Sequence, residues 1–400
     1  MSTPQTAAAA TRPISTCGLS DARDFHTLWK LPKLPLTERF GPYSPNHGLD
    51  YDQELVISVP TGHVQLKYQV DPGILYTAGE YSFRTGASDK SRADVAFFLE
   101  FFKRFAKGRT FNSIVDVGGN DLFLARSLTS YGRNSAVIDP ICKSIDGQVV
   151  DGIQVLGRFI EQVDLSRDIV KPDLIVCRHT LEHVSRPRNV IDQWFRQSSD
   201  DCLCLAEIPC FENLVEAQRF DAVFHQHFHY YDLSSFKRLI WECGGEYLGH
   251  AFNHQGSCGG ALLVAFRKAK VKQPQPELDL EARITRIERR IARHRDQMAV
   301  MNELLTELPG PVYGYGAGLM LATLAYHLRT DFSRLECILD DDAAKDSATY
   351  ENVPVTVRHT TKVAPPANSS YVITSLENVR PIFRRITELR PRRILVPLIT

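Results

Sequence analysis

The sequence predicts an α/β protein with two nucleotide-binding-type units and a small β-containing module in front of them. Three observations lead there. Strand-like and helix-like segments alternate from residue 111 onward, the pattern of a parallel sheet with helices on its faces. Twice, an apolar strand runs into a glycine turn that opens a helix, at residues 114–128 and again from Val312 through Gly318. Upstream, residues 17–88 carry Pro32, Pro35, Pro42, Pro45, Pro60 and Pro72, with only short strand-like pieces between them.

Composition narrows the class. Four hundred residues allow two or three domains with sizeable cores. The 47 basic residues balance 47 acidic ones, which argues against a nucleic-acid or membrane-surface partner. The nine cysteines are odd in number and scattered, and Cys177, Cys202 and Cys204 fall in apolar stretches. Reduced, mostly buried thiols in a cytoplasmic protein are expected. Residues 1–16 lack the apolar core of a signal peptide and read as a flexible tail. No run approaches the ~18 apolar residues of a membrane helix.

In order, the small module of 17–88 has strand-like pieces at 54–59 and 63–70. Residues 91–107 turn helical, with Val95, Phe97, Phe98, Phe101, Phe102 and Phe105 forming a stripe expected to face a core. A domain over 89–270 follows. Its strands are expected at 114–117, 135–138, 152–155, 173–177, 203–208 and 260–266, with helices near 123–130, 188–197 and 234–243. The sheet is expected to be parallel, with its ligand outside the strand C-termini. A polar, Arg-rich helix within 271–310 connects to the second unit, 311–400, whose later strands fall at 335–339, 371–374 and 393–396.

The first glycine turn suggests its own ligand. Gly118 and Gly119 let a backbone approach a ligand closely, and Asp139, at the end of the next strand with Pro140 behind it, can accept from a ribose diol. Those features suit a dinucleotide and S-adenosylmethionine alike. The turn lacks the third glycine of GxGxxG, and Asp116 and Asp121 flank Asn120. Two carboxylates disfavour a pyrophosphate and suit a sulfonium and an ammonium group. The plain alternative is a turn that only links strand to helix.

Two histidine-rich stretches lie further on. His179, Glu182 and His183 match the H-x-x-E-H zinc-peptidase pattern. That chemistry needs a regular helix, whereas this stretch leaves a strand directly and meets Arg186-Pro187, so a ligand-facing loop is expected instead. In the second stretch, His225, His227 and His229 share one face if the chain is extended. Three readings remain open there: a metal site, three structural histidines, or a general base.

Together these stretches resemble the S-adenosylmethionine-dependent sugar C-methyltransferases of deoxysugar and branched-sugar pathways. The matching motifs are residues 115–121, DLIVCRHTLEHV at 173–184, AEIP at 206–209, FDAVFHQHFHYY at 220–231, HQGS at 254–257 and YGYGAG at 313–318. The resemblance implies an N-terminal zinc module, a central Rossmann-like class I methyltransferase domain and a C-terminal Rossmann-like domain. It also implies S-adenosylmethionine as cofactor, held by Asp116, Gly118, Gly119, Asn120, Asp121, Asp139, Pro140 and His179. The implied substrate is a nucleotide-linked keto-sugar. His227 would act as base and His183 would hold the oxyanion, with His225, Gln226 and Tyr81 completing the catalytic set.

The chain departs from that pattern in places. The family's two CxxC pairs align with Ile14/Cys17 and Ser58/Thr61, so no zinc is expected. Phe83, Phe224 and Gln226 replace tyrosine, tyrosine and glutamate, and Leu319-Met320 stand where a lysine often follows the second glycine turn. An O- or N-methyltransferase on a nucleotide sugar, or a cofactor-binding protein without catalysis, is the alternative. The assembly is expected to be a monomer or a homodimer.

Overall fold

The computed structural model describes residues 10–75, 89–256 and 258–398. The N-terminal part holds β1 (Thr11–Pro13), β2 (Phe25–Pro35), β3 (Asp50–Ser58), β4 (Val64–Leu66), β5 (Tyr68–Val70) and one helical turn, α1 (Pro72–Leu75). Sequence reading missed β2, because Pro32 and Pro35 read as loop. Both sit in the edge strand of the sheet β12-β4-β3-β2, where a missing N–H breaks little pairing, and the register slips between Leu31 and Leu34. The expected tail is also corrected: β1 lies within it and pairs antiparallel with β5.

Helix α2 (Asp89–Ala106) leads into the central unit. Its elements are β6 (Phe111–Val117), α3 (Phe123–Leu128), β7 (Gly132–Ile138), β8 (Val149–Val150), β9 (Ile153–Leu156), β10 (Leu174–Arg178), α4 (Pro187–Gln197), β11 (Leu203–Pro209), α5 (Phe211–Glu216), β12 (His229–Tyr230), α6 (Leu233–Glu242), β13 (Gly245–Asn253) and β14 (Ala261–Lys268). The sheet order is β13-β14-β11-β10-β6-β7-β9-β8. Strands β11, β10, β6, β7 and β9 are parallel; β14 and β13 add antiparallel at one end and β8 at the other. The fold is thus Rossmann-like but not wholly parallel. Strand β13 escaped detection because its residues are half-buried and carry no clean alternation.

Alternation explains the two core layers. Val115, Val117, Ile175, Cys177, Cys204 and Ala206 point to one face, against Trp194 of α4 and Phe236 and Leu239 of α6. Ile114, Leu174, Val176, Leu203 and Leu205 point to the other, where Phe98, Phe101 and Phe102 of α2 cover them. Phe97, expected in that stripe, is exposed instead. Each buried phenylalanine contributes about 1.5–3 kcal/mol by leaving water. All nine cysteines are free thiols and most are buried.

Helix α7 (Leu280–Thr306) buries Ile287, Ile291, His294, Met298 and Leu305. Its arginines are not simply solvated: Arg286 and Arg290 pair with Glu212 and Glu216 of α5. The C-terminal unit contains β15 (Val312–Tyr315), α8 (Leu321–Leu328), β16 (Ile338–Asp340), β17 (Val357–His359), β18 (Ser370–Ile373), α9 (Val379–Glu388) and β19 (Arg393–Leu395). Its sheet, β17-β16-β15-β18-β19, is parallel throughout. Among the described residues, no helix is long and apolar enough to cross a membrane.

Phe102 is fully buried between α2 and the sheet. Phe102→Ala is expected to lose about 3–5 kcal/mol, read as a lower urea midpoint. A loss below about 1 kcal/mol would show that this contact is not core.

Candidate functional site

The parallel strands deliver their C-terminal ends to one edge. There the turn after β6 meets the ends of β7 and β10, on the two sides of β6. Gly118 adopts φ 78°, and a Cβ on it would overlap the Thr180 hydroxyl from the loop after β10. A Cβ on Gly119 would come within 2.7 Å of Val137. Both glycines are therefore required by close approach. Asn120 and Leu122 also take positive φ, 47° and 63°. For leucine this is a strained conformation, of the kind that concentrates at ligand-binding turns. Leu122 thus precedes α3 as its N-cap residue.

Asp139 ties this edge together. Its Oδ2 accepts the Asn120 N–H at 2.8 Å and its Oδ1 accepts the Ile141 N–H at 2.9 Å. Asp121 Oδ1 accepts the Phe123 N–H at the start of α3. Pro140 opens the helical turn behind Asp139. The second unit repeats the device, since Asp340 Oδ2 accepts the Ala317 N–H at 2.7 Å. Asp116 is different. It is buried beneath the turn, and its Oδ2 has no hydrogen-bond partner among the described residues. Burial pushes its carboxyl up to about 7, despite the opposing pull of Arg178. Of the two carboxylates expected to attract a cation, one is thus about half protonated near neutral pH.

Beside it stands a charged cluster that sequence reasoning missed. Arg178 grips Glu207 with two hydrogen bonds, 2.6 and 2.9 Å, both side chains being buried. Burial would raise Glu207, but the charge of Arg178 brings it down to about 2. His179, in the left-handed conformation at φ 47°, sets Nε2 3.2 Å from Glu207 and Nδ1 3.5 Å from Glu182. Burial would lower this histidine, yet the two glutamates beside it outweigh that and raise it to about 9. Adjacent charged residues at the ends of two paired strands, β10 and β11, were the available signal.

The histidine stretch 225–229 is not extended, and its side chains part ways. His225 is buried against the N-terminal module: Nε2 donates to the Leu34 carbonyl at 2.9 Å and Nδ1 lies 3.4 Å from Gln53. The structure does not bring it into the cluster. His229 pairs with His63 at 2.9 Å, inside the same module. Gln226 is buried and accepts the Thr37 hydroxyl at 3.0 Å. Only His227 turns toward the sheet edge. Its ring lies 4.8 Å from that of His183, edge to face, and 4.2 Å from Phe224. Burial and the neighbouring His183 and His179 hold His227 well below its ordinary value, so it is neutral. His183 Nδ1 bonds the Gln226 carbonyl at 2.8 Å. Tyr81 and Phe83 lie outside the described residues.

The residues at the implied zinc module do not fit the metal. Cys17 Sγ contacts the Thr61 hydroxyl at 3.4 Å, and the Ser58 hydroxyl is buried without a partner. One thiol with two hydroxyls is not a tetrahedral thiolate set. The H-x-x-E-H stretch is a turn and not a helix, so His179 and His183 do not share a helical face.

Residues 90–248 match the family model described as a methyltransferase domain. The middle of this chain is thus similar to a methyltransferase domain. No curated protein matches the chain. Among solved structures, the N-methyltransferase NodS of Bradyrhizobium japonicum, determined with S-adenosyl-L-homocysteine, is 14% identical; the match covers 48% of this chain and 94% of that one, with a TM-score of 0.37. An S-adenosylmethionine-dependent methyltransferase of Clostridium acetobutylicum is 11% identical over 46% of this chain and 93% of that one, with a TM-score of 0.35.

Buried histidines set a pH window. His225 and His229 are lowered to about 4 by burial, as is His294, where Asp221 partly opposes the effect; His327 is lowered to about 3 by burial and then by His294. Their unfolded forms bind protons near 6.5, so stability falls as pH drops from about 6.5 toward 4. His179 runs the other way: its contribution is complete below 6.5 and lost as pH rises through about 9. Asp116, raised to about 7, opposes the histidines as a single group. Melting temperature is expected to be highest between about pH 6.5 and 8 and to collapse by pH 4–5. A flat melting profile from pH 7 to 4 would contradict the neutral state of these histidines.

Proposed function

We propose that the protein is an S-adenosylmethionine-dependent methyltransferase that methylates the carbon next to the ketone of a nucleotide-linked keto-sugar. The observation that carries the reading is His227: a buried, neutral imidazole beside the imidazolium of His179, at the sheet edge of a methyltransferase domain. A base must be unprotonated to act, and a nearby cation stabilises the negative oxygen that its action creates. The substrate class is supported by the motif resemblance alone.

The residues at the edge fit the cofactor. Gly118 and Gly119 make the turn at the end of β6, packed on Thr180 and Val137, and the Asp139 carboxylate stands beside it on the Asn120 and Ile141 N–H groups. S-adenosylmethionine bound there supplies an electrophilic methyl group. His227 removes the proton from the substrate carbon, and the electron pair moves into the ring as an enolate. His179 is the group of the cluster that would stabilise the oxygen that becomes negative. The enolate carbon then takes the methyl group as the carbon–sulfur bond of the sulfonium breaks, its electron pair staying on sulfur to leave a neutral thioether, and the proton passes from His227 to solvent.

One observation favours a second reading. Gln226 is tied to Thr37, so no carboxylate from this position assists His227. Methylation of an oxygen or nitrogen, where no carbon proton leaves, needs less of the base. Solvent deuterium incorporation at the ring carbon separates the two, since only the carbon route exchanges that hydrogen. Under the carbon route, His227→Asn is expected to slow methyl transfer by roughly 10²–10⁴-fold and to abolish the exchange. Unchanged turnover on a confirmed substrate would remove His227 from the role.

Asp116 makes cofactor binding pH-dependent. A cationic ligand above it lowers its carboxyl from about 7, so binding releases a proton. Affinity for S-adenosylmethionine is expected to rise between pH 6 and 8, by at most about tenfold per unit. Calorimetry in two buffers of different ionisation enthalpy reads the proton directly. The linkage fails if Asp116→Asn leaves the pH dependence unaltered.

A further inference from the structure

We propose that Glu182, His183 and His227 form a binding site for a divalent transition-metal ion of the zinc type. The site itself stands on geometry alone; its consequence for catalysis rests on the reading of His227 as base. One donor atom from each residue lies within 4.8 Å of the other two. Donors bound at about 2.0–2.2 Å to zinc stand roughly 3–3.5 Å apart, so closure asks shifts of about 1 Å or less from each side chain.

Glu182 gives the first reason. Its side chain is 1% exposed, and among the described residues neither carboxylate oxygen accepts a hydrogen bond. A buried carboxylate is ordinarily held by donors or by a cation. His179 reaches only one oxygen, at 3.5 Å, and is shared with Glu207. His183 gives the second reason. A carbonyl only accepts, so the bond from Nδ1 to the Gln226 carbonyl places the proton on Nδ1. Nε2 is left with its lone pair, 4.0 Å from Glu182 Oε1. Ligating histidines are commonly fixed in this carbonyl-anchored tautomer. His227, packed edge to face on His183, makes no side-chain hydrogen bond among the described residues.

The donor set selects the metal. Two imidazoles and one carboxylate suit zinc, cobalt, nickel or ferrous ions, whereas calcium and magnesium prefer oxygen donors. Three protein ligands leave a coordination position open. Neither histidine stretch contains the set by itself. H-x-x-E-H would pair His179 with His183, but His179 is engaged by Glu207, and the third ligand comes from the segment between α5 and β12. An ion on His227 occupies the lone pair that proton removal requires. Metal occupancy and base action at His227 therefore exclude one another, and zinc acts as a reversible inhibitor.

The test uses the full-length chain stripped with a chelator. Cobalt(II) is titrated in and followed by its visible absorption, and zinc(II) is followed by competition with a chromogenic chelator. One equivalent is expected, with no thiolate charge-transfer band. Affinity is expected to fall at least about tenfold in Glu182→Gln and in His183→Asn and to persist in Cys17→Ser. No saturable binding, undiminished binding in both ligand variants, or a thiolate band overturns the site. In case those variants misfold, X-ray absorption of the zinc-loaded wild type gives an independent reading: two imidazoles support the site, and sulfur ligation or no imidazole overturns it. Zinc is expected to inhibit methyl transfer at the same affinity, reversed by chelator. Full turnover by zinc-saturated enzyme would overturn the mutual exclusion and the base role of His227 while leaving the metal site in place.

Discussion

The structure depends on keeping one irregular loop buried. Every residue from 219 to 232 is buried, although only a helical turn at Phe220–Ala222 and the two residues of β12 are regular. Loops normally lie on surfaces because their backbone polar groups need water. Here the surroundings replace it. The Phe228 carbonyl accepts from Leu66, the Phe228 and His229 N–H groups donate to the Glu182 carbonyl, and the Phe224 N–H donates to the Tyr230 hydroxyl. Arg219 closes on Asp221 within the loop and on Glu377 of the C-terminal unit. All three parts of the chain therefore hold the segment that carries His227.

That constraint explains the role of the N-terminal module. Strand β12 of the loop completes the module's sheet by pairing with β4. Leu34, Thr37, Gln53 and His63 of the module then take up His225, Gln226 and His229. Cys17, Ser58 and Thr61 do not make a metal site, so the module is held by sheet pairing and by these polar contacts. Its function is positional: it absorbs two histidines and a glutamine, and leaves His227 facing the methyltransferase domain.

Charge at the sheet edge follows the same logic. Arg178 and Glu207 neutralise each other in the interior, and His179 gains its proton from the carboxylates around it. Burial, with His183 and His179 adding to it, holds His227 below its ordinary value, and burial also leaves Asp116 poised near neutral pH. Only a fixed low-dielectric interior makes such neighbours decisive, because water would screen them.

Local pattern was enough for much of the fold. The apolar strands around Val115, Ile175 and Leu205, the glycine turn at Gly118-Gly119, the stripe of α2 and the length of α7 all follow from periodicity and turn chemistry, which act over a few residues. Residues with no local signature were lost: β2 behind its prolines, β13 without alternation, and Leu122 forced into a left-handed conformation. In the site, the sequence by itself determined that histidines and carboxylates crowd two loops at the strand ends. Only the tertiary structure decided which of them meet. His225, His227 and His229 look equivalent in sequence, but each side chain is sorted by the partner waiting for it: Leu34 and Gln53, His183, and His63. Those partners lie far away in the chain, and hydrogen-bond satisfaction in a buried interior chooses among them only once the three parts have packed.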